Sequence, residues 1–312
     1  MAHKSVEAPY SGFGRRSTAE DVTAGLDLRG KTILLTGCTS GIGLETMKTL
    51  AKCGGHVIGV GRTQKKADMA WRSVSDSNME GYVTPIGCEL EDFGAVVDLA
   101  EKVRAMNMPI DTLICNAGIL GRPKLEIIKG IEKQFAVNHL SHFILINQLL
   151  DQVKLSPQGR VIIVASDAHK NTPMGGIDFS NLSGGNGYSA LKFYGQSKLA
   201  NILTARKLAQ HLSGTEATAN ALHPGFVRTN IFHNLPTFLN GPLKLLARPF
   251  MKSLSVGAAT TCYLATSPKL VQISGQYFSN CNMANPSALG RNDALAQRLW
   301  ETSENLVSDY LR

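Results

Sequence analysis

Long hydrophobic runs, paired cysteines and dense clusters of one charge are all missing from this sequence of 312 residues. Its longest apolar runs fall far short of the roughly 20 residues that a membrane-spanning helix needs. No apolar run follows the basic start, as one would in a signal peptide. We therefore expect a globular chain without a transmembrane segment, long enough to build a core that is stable without staples.

The cysteines predict neither disulfides nor a metal site. Six of them are scattered along the chain without a C-x-x-C pair, at positions 38, 53, 88, 115, 262 and 281. This spacing is typical of buried thiols in a reducing compartment, so we expect a cytoplasmic protein. His139 and His142 lie three residues apart, but no carboxylate or cysteine at helical spacing completes a metal site, and we expect both to be structural.

The formal net charge of +8 comes from 32 basic and 24 acidic residues. A basic balance can indicate nucleic acid, a membrane surface or an anionic ligand as partner. Here the lysines and arginines are spread over the whole chain, with no dense run and no nucleic-acid motif. We expect a solvated surface, a few cations that serve an anionic cofactor, and no nucleic-acid partner.

A short apolar run at residues 32–36 predicts a buried parallel strand, and a helical pattern follows at residues 44–53. Glycines fill the turn between them. They permit a tight turn and a close approach to phosphate, and a helix N-terminus favours an anion. Glycines also serve ordinary turns, but the strand-turn-helix context favours a dinucleotide site. The expected cofactor contacts from this turn are Gly37, Thr39, Ser40, Gly41, Ile42 and Gly43.

A second predicted strand, residues 56–60, ends in Gly61 and Arg62. An acidic residue at this point would bind the ribose 2′-hydroxyl of NAD, and none is present. Gly61 leaves room and Arg62 supplies a cation, which suits the 2′-phosphate of NADP. We therefore expect NADP(H) to be preferred over NAD(H), with an ordinary surface arginine as the alternative.

Further apolar runs at residues 82–86, 110–114, 160–165, 217–222 and 275–278 alternate with helical patterns. This alternation predicts an α/β chain: a single-domain Rossmann fold with a doubly wound, seven-stranded parallel sheet and helices on both faces. Ligands of such a sheet lie at the carboxyl ends of its strands. The residues expected at that edge are Glu89, Leu90, Asn116, Ala117, Gly118, Ser166, Pro224, Gly225, Val227 and Thr229.

A tyrosine and a lysine four residues apart, Tyr194 and Lys198, share one face of a predicted helix. A cation beside a tyrosine favours the phenolate and lowers its pKa, so that the pair can exchange a proton with a carbonyl or alcohol oxygen. Tyr188 and Lys192 repeat the same spacing six residues earlier. Spacing alone does not choose between the two pairs.

The two remaining segments are an N-terminal arm and an apolar, basic stretch near the C-terminal third. Residues 1–27 are expected to form a flexible arm with a short helix near residues 17–24, ahead of one domain over residues 28–312. Residues 231–252, within a wider segment 226–253, are either a substrate lid or a patch that makes peripheral contact with a membrane. The lid is favoured because the stretch is short and broken by proline.

These motifs, together with Asn138 in a predicted long helix at residues 131–150, resemble the ordered motif series of the short-chain dehydrogenases/reductases over about residues 28–285. The amino-acid sequences of residues 137–143, 166–169 and 197–201 are similar to those of the retinol dehydrogenase branch, including the catalytic domain of the WW domain-containing oxidoreductase. Trp71 and Trp300 are too far apart to form a WW domain.

The resemblance implies an NADP(H)-dependent oxidoreductase that interconverts a carbonyl and an alcohol on an apolar small molecule. It selects Tyr194 over Tyr188, since the family's lysine follows a serine, as Lys198 does. Tyr188 remains a candidate for the lining of the substrate pocket. Tyr194 would be the general acid and base, and Lys198 would lower its pKa and bind the nicotinamide ribose. Ser166 would bind the substrate oxygen, and Asn138 would hold a water that links Lys198 to solvent.

The resemblance further implies that Val227 and Thr229 hold the nicotinamide carboxamide, and it allows a homodimer or a homotetramer. Glu89 replaces the family's usual aspartate beside the adenine, a change that we expect to have little effect. A membrane-anchoring N-terminus has no counterpart here, which weighs against a membrane retinoid as substrate. A catalytically silent dinucleotide-binding sensor or scaffold remains the alternative to an enzyme.

Overall fold

A single mixed sheet forms the centre of the computed structural model, which describes residues 9–75, 79–121, 123–227 and 252–311. Its eight strands lie in the order β10-β9-β8-β7-β4-β1-β2-β3. The strands of the sheet are β1 (Thr32–Thr36), β2 (His56–Gly61), β3 (Tyr82–Gly87), β4 (Thr112–Cys115), β7 (Arg160–Val164), β8 (Thr218–His223), β9 (Tyr277–Ser279) and β10 (Asn282–Met283).

Seven of these strands are parallel, as the alternating pattern predicted. The central strands β1, β2, β4 and β7 are buried along their whole length, which is why their sequences are continuous apolar runs. The eighth strand, β10, is antiparallel to β9 and was not predicted. Asn280 and Cys281 both have positive φ, so the chain reverses tightly between the two strands.

Helices cover both faces of the sheet, which confirms the doubly wound architecture. The helices are α1 (Ala19–Thr23), α2 (Gly41–Lys52), α3 (Gln64–Val74), α4 (Phe93–Ala105), α5 (Lys133–Phe135), α6 (Ser141–Lys154), α7 (Ala190–His211), α8 (Leu254–Thr266) and α9 (Asp293–Leu306). One apolar cluster joins the sheet to α4, α6, α7 and α9, and the other joins it to α1, α2 and α8. None of the helices in the described ranges is long and apolar enough to cross a bilayer.

The long helix predicted for residues 131–150 is divided. A hairpin of β5 (Ile127–Ile128) and β6 (Ile131–Glu132) comes first, and α5 then passes into α6 through a π-helical turn, Ala136–Leu140. Asn138 lies at the centre of this π turn, and its side chain hydrogen-bonds to neighbouring backbone. Single π turns of this kind often occur at functional sites.

The described part of the N-terminal arm is packed, contrary to the expectation of a flexible segment. Asn282 ties it to the sheet edge, since its Oδ1 accepts from the Ser11 amide at 3.2 Å and its Nδ2 donates to the Phe13 carbonyl at 2.8 Å. Helix α1 forms where a short helix was predicted, with Thr18 and Asp21 completing a capping box. Most of the predicted lid, residues 228–251, lies outside the described residues.

Candidate active site

A cleft of about 740 Å³ opens at the carboxyl ends of the parallel strands. Almost every residue predicted for the cofactor or for catalysis lines it. These are Gly37, Thr39, Ser40, Gly41, Ile42, Gly43, Arg62, Glu89, Leu90, Asn116, Ala117, Gly118, Ser166, Tyr194, Lys198, Pro224, Gly225 and Val227. Asn138 lies behind the cleft wall, fully buried. Thr229 lies outside the described residues.

The glycine turn between β1 and α2 leaves no room for a side chain at Gly37 or Gly43. Gly37 has a φ of 73°, and a Cβ on Gly43 would lie 2.1 Å from the Gly37 carbonyl oxygen. Ser40 caps α2 without a side-chain hydrogen bond to the first turn, and Gly41 and Ile42 of that turn line the cleft. A helix N-terminus presented in this way fits the phosphates of a dinucleotide.

Asn116, at the end of β4, fixes the glycine turn from the neighbouring strand. Its Nδ2 donates to the carbonyls of Thr36 and Gly37, at 2.9 and 3.3 Å. In return, the Thr36 hydroxyl accepts from the backbone amides of Asn116 and Ala117, each at 3.0 Å. The ends of β1 and β4 are therefore joined by side-chain hydrogen bonds beside the cleft.

The two histidines of the Asn138 region are held by hydrogen bonds to other protein groups. His142 contacts the Thr36 hydroxyl through Nε2 at 2.9 Å and the Asn138 carbonyl through Nδ1 at 3.1 Å. His139 contacts the Ser303 hydroxyl on α9 at 2.8 Å. Burial lowers the pKa of His139 to about 3 and that of His142 to about 4, so both rings are neutral.

Arg62 forms an ion pair at the edge of the cleft, which the sequence did not predict. Its Nε lies 3.6 Å from Glu89 Oε2, and the two side chains are 54% and 43% exposed. Such exposed pairs contribute little to stability, so the guanidinium remains accessible to a stronger anion. The expected space at Gly61 is already filled, because a Cβ there would lie 2.5 Å from Thr39 Cγ2.

Ser166, Tyr194 and Lys198 also line the cleft, at the point where the end of β7 contacts α7. Ser166 caps the 3₁₀ turn Asp167–Lys170, and its hydroxyl accepts from the Ala168 amide at 3.2 Å. Tyr194 is 9% exposed. Lys198 Nζ donates to the Val164 carbonyl at 2.9 Å and lies 5.7 Å from the centre of the Tyr194 ring.

The pKa of Tyr194 is shifted in the opposite direction from the one expected. Burial raises it to about 12, because the phenolate would lose its water, and hydrogen bonding with Ser166 only partly opposes this. Burial lowers the pKa of Lys198 to about 8. The lysine directs its ammonium at the Val164 carbonyl, so in this structure desolvation outweighs its effect on the tyrosine.

Asn138 connects the cleft wall to α7. Its Oδ1 accepts from the Ile119 amide at 2.8 Å, and its Nδ2 donates to the Ile119 carbonyl and the Ser197 hydroxyl, each at 3.0 Å. Ser197 in turn donates to the Tyr194 carbonyl at 2.8 Å. The π turn therefore holds the loop after β4 against α7. Its contact on α7 is Ser197, which lies between Tyr194 and Lys198 in the sequence.

Some cleft residues were missed by the sequence analysis, among them Asp167 and His223. Both stand at the end of a parallel strand, so the same edge rule could have found them. Tyr188, a candidate for the substrate pocket, is not among the described residues that line the cleft. Its hydroxyl lies 3.4 Å from Glu132 Oε1 and 3.4 Å from Gln134 Nε2, beneath the β5-β6 hairpin.

Proteins of similar sequence align with nearly the whole chain. It is 38% identical over 308 residues to short-chain dehydrogenase TIC 32 A, chloroplastic, of Brassica napus, covering 96% of each sequence. It is 38% identical to the WW domain-containing oxidoreductase of Homo sapiens, covering 95% of this chain and 72% of that protein. It is 37% identical to retinol dehydrogenase 12 of Mus musculus, covering 91% and 89%.

Solved structures share the fold. A crystal structure of an uncharacterized protein from Mycobacterium Paratuberculosis matches with a TM-score of 0.73 and 30% identity, covering 94% of this chain and 98% of that one. The Pseudomonas aeruginosa RhlG/NADP active-site complex matches with a TM-score of 0.64 and 25% identity, covering 81% and 95%. The family model for short chain dehydrogenase matches residues 31–239. With the cleft and the relatives in agreement, this chain belongs to the short-chain dehydrogenase family.

Proposed function

We propose that the protein is an NADP(H)-dependent oxidoreductase that interconverts an aldehyde or ketone and the corresponding alcohol on an apolar small molecule. The observation that carries the proposal is the convergence of Ser166, Tyr194 and Lys198 in the same cleft as a glycine turn that fits a dinucleotide. A bound nicotinamide would supply or accept the hydride, and the chain's own residues manage the proton and the orientation.

Tyr194 is the proposed proton donor in reduction and the proton acceptor in oxidation. With a pKa of about 12 its hydroxyl is protonated near neutral pH, so it is ready to donate to a carbonyl oxygen that is gaining negative charge. Ser166 is the proposed hydrogen-bond donor to the same oxygen. Lys198 stays mostly charged below a pH of about 8 and favours the phenolate that remains after the transfer.

The proposed preference for NADP(H) rests on Arg62 and on the absence of an acidic side chain directly after β2. Arg62 lies at the cleft edge, and its ion pair with Glu89 is long and exposed enough to give way to a phosphate. The RhlG relative, whose structure is described as an NADP complex, supports the same choice.

The proposed apolar substrate rests on the apolar side chains that line the same cleft as Tyr194. Ile119, Leu120, Leu191 and Phe226 line the cleft, and the last two are 55% and 59% exposed. Large apolar side chains left open to water at the mouth of a cleft favour an apolar ligand.

We further propose that the protein works in a reducing compartment, the cytoplasm. This accords with its six free cysteines, of which five are buried.

The test is turnover with a matched pair of tyrosine variants. Oxidation of NADPH and NADH is measured with a panel of aldehydes, ketones, retinoids and steroids, using the unaltered protein, Tyr194→Phe and Tyr188→Phe. Removal of a general acid is expected to cost about 10²–10⁴-fold in kcat for Tyr194→Phe. Tyr188→Phe should keep most activity, because Tyr188 lies outside the cleft.

Two outcomes would contradict the proposal. Equal turnover by the unaltered protein and Tyr194→Phe would remove Tyr194 from the chemistry. Tight binding of NADPH without turnover of any substrate would instead indicate a silent sensor or scaffold.

A further inference from the structure

The turn that follows Ser166 is held from both sides by one buried histidine. The Ser166 carbonyl accepts from the His169 backbone amide at 3.1 Å and from His169 Nδ1 at 2.7 Å. On the far side of the ring, His169 Nε2 accepts from the Ser287 amide at 2.9 Å. The imidazole is completely buried and therefore bridges the end of β7 and the segment that leads to α9.

The two partners of the ring fix its protonation state. A backbone carbonyl only accepts, so Nδ1 must carry a proton, and a backbone amide only donates, so Nε2 must have none. His169 is therefore neutral, with its hydrogen on Nδ1. A second proton would set the Nε2 hydrogen against the Ser287 amide hydrogen and break that contact.

The opposite side of the same turn supports the catalytic helix. A Cβ on Gly195 would lie 2.0 Å from the Asn171 carbonyl oxygen and 2.7 Å from that of Ala168. Gly195 directly follows Tyr194, so α7 rests on the turn's carbonyls at the catalytic tyrosine. The turn lies between the Ser287 segment and α7, and its position sets where Ser166 stands relative to Tyr194.

We propose that His169 is a positioning residue, which holds Ser166 in place for catalysis by clamping its carbonyl to the Ser287 segment in the neutral ring state. This inference rests on the oxidoreductase function proposed above. Loss of the clamp lowers kcat and leaves cofactor affinity nearly unchanged, because the residues of the glycine turn and Arg62 are not touched.

Protonation of the ring releases the same clamp, so kcat also falls in acid. The charged and titratable groups around the ring are Asp167 and Lys170 of its own turn, His223 of β8 and Tyr277 of β9. Asp167 is bound by Lys170 at 2.9 Å, lies 3.6 Å from His223 and accepts from Tyr277 at 3.5 Å. Burial lowers the pKa of His169 and Lys170 adds to this, while the Ser166 carbonyl and Asp167 oppose it. The neutral ring therefore prevails at neutral pH.

Two amide variants divide the clamp into its halves. In His169→Asn the amide nitrogen can stand near the place of Nδ1 and donate to Ser166, but nothing reaches Ser287. In His169→Gln the amide oxygen can reach the place of Nε2 and accept from Ser287, but the Ser166 contact is lost. His169→Phe removes both, and His211→Asn, on the outer end of α7, serves as the control.

The expected result is a loss of kcat of about 10- to 100-fold in His169→Phe, His169→Asn and His169→Gln, as for a misplaced reacting group, because each variant lacks at least one half of the clamp. The Kd for NADPH should stay within about twofold of the unaltered value in all variants, because the cofactor contacts are not misplaced. The acid decline of kcat should be weaker in His169→Asn and His169→Gln than in the unaltered protein, since neither amide titrates. Equal kcat in the unaltered protein and in either amide variant, or losses explained by NADPH affinity, would overturn the proposal.

A readout independent of turnover separates this inference from the proposed function. Long-range ¹H–¹⁵N correlation spectra assign the tautomer of His169 by difference against His169→Asn. A neutral ring with hydrogen on Nδ1 supports the clamp, and the other tautomer or a charged ring at neutral pH overturns it. If the unaltered protein turns over no substrate, the proposed function fails, while the tautomer still tests the contacts on which the clamp depends.

Discussion

Lys198 holds its ammonium group 5.7 Å from the centre of the Tyr194 ring while it donates to the Val164 carbonyl at 2.9 Å. The end of β7 thereby fixes the position of the lysine, and Asn201 shares the same carbonyl at 3.1 Å. Since the carbonyl and not the phenol takes the strong contact, burial controls both pKa values. In the proposed reaction Tyr194 therefore starts as a protonated phenol, and forming its phenolate has a cost.

The rate should therefore depend on pH in opposite ways for the two directions. Tyr194, with a pKa raised to about 12, is protonated throughout the neutral range, so kcat/KM for carbonyl reduction should be flat from pH 6 to 8. Alcohol oxidation needs the phenolate, so its kcat/KM should rise about tenfold per pH unit. The rise should bend near pH 8, where Lys198 loses its charge. Initial rates in both directions decide this, and a flat oxidation profile would contradict it.

Gly43→Ala should strongly weaken cofactor binding. The added Cβ would lie 2.1 Å from the Gly37 carbonyl oxygen and 2.6 Å from Asn116 Nδ2, so the turn must open. We expect NADPH affinity to fall by about 100-fold or more, in keeping with the close approach that the glycine permits. Fluorescence titration with NADPH measures it. Gly14→Ala is the control, since a Cβ there meets nothing within 4 Å. Similar NADPH affinity in both variants would contradict the role of the glycine turn in cofactor binding.

The Arg62–Glu89 pair should tune the choice between NADPH and NADH. Arg62→Gln removes the cation proposed for the 2′-phosphate, and the ratio of NADPH to NADH affinity should fall about tenfold or more. Glu89→Gln frees Arg62 from its ion pair, so the same ratio should rise by a few-fold, as expected for a weak exposed pair. Titration calorimetry with both cofactors gives the ratios. Unchanged ratios in both variants would place the 2′-phosphate elsewhere.

Buried neutral histidines should make the fold sensitive to acid. His139 and His142 have pKa values of about 3 and about 4 in the folded protein, against about 6.5 when unfolded. Between pH 6.5 and 4 the unfolded chain binds more protons, so the free energy of unfolding falls as the pH falls, by about 1.4 kcal/mol per pH unit for each histidine. Urea unfolding at several pH values measures the slope.

A variant isolates one of these histidines. In His139→Gln the slope should be reduced by the share of a single group, because His142 remains in place. An unchanged slope would mean that His139 is charged in the fold or stays neutral when the chain unfolds.

Local sequence patterns were sufficient for the seven parallel strands, the glycine turn and the residues at the edge of the sheet. Continuous apolar runs such as those of β1 and β2 are buried on both sides, and the carboxyl ends of parallel strands must lie together. That is why Asn116, Ser166 and Gly225, widely spaced in the chain, could be assigned to one cleft. Choosing Tyr194 over Tyr188 needed the family resemblance, because both pairs have the same spacing.

Only the tertiary structure decided which distant groups meet and how well they are hydrated. It divided the predicted long helix at Asn138, packed the described part of the arm on Asn282, and paired Arg62 with Glu89. It also reversed the expected pKa shift of Tyr194, because spacing shows a nearby cation but not the loss of water around the phenol. The sequence by itself determined the fold and the location of the cleft, since these follow from period and strand order. The protonation states and the contact between His169 and Ser287 depend on burial and on chain segments 118 residues apart, which no local pattern contains.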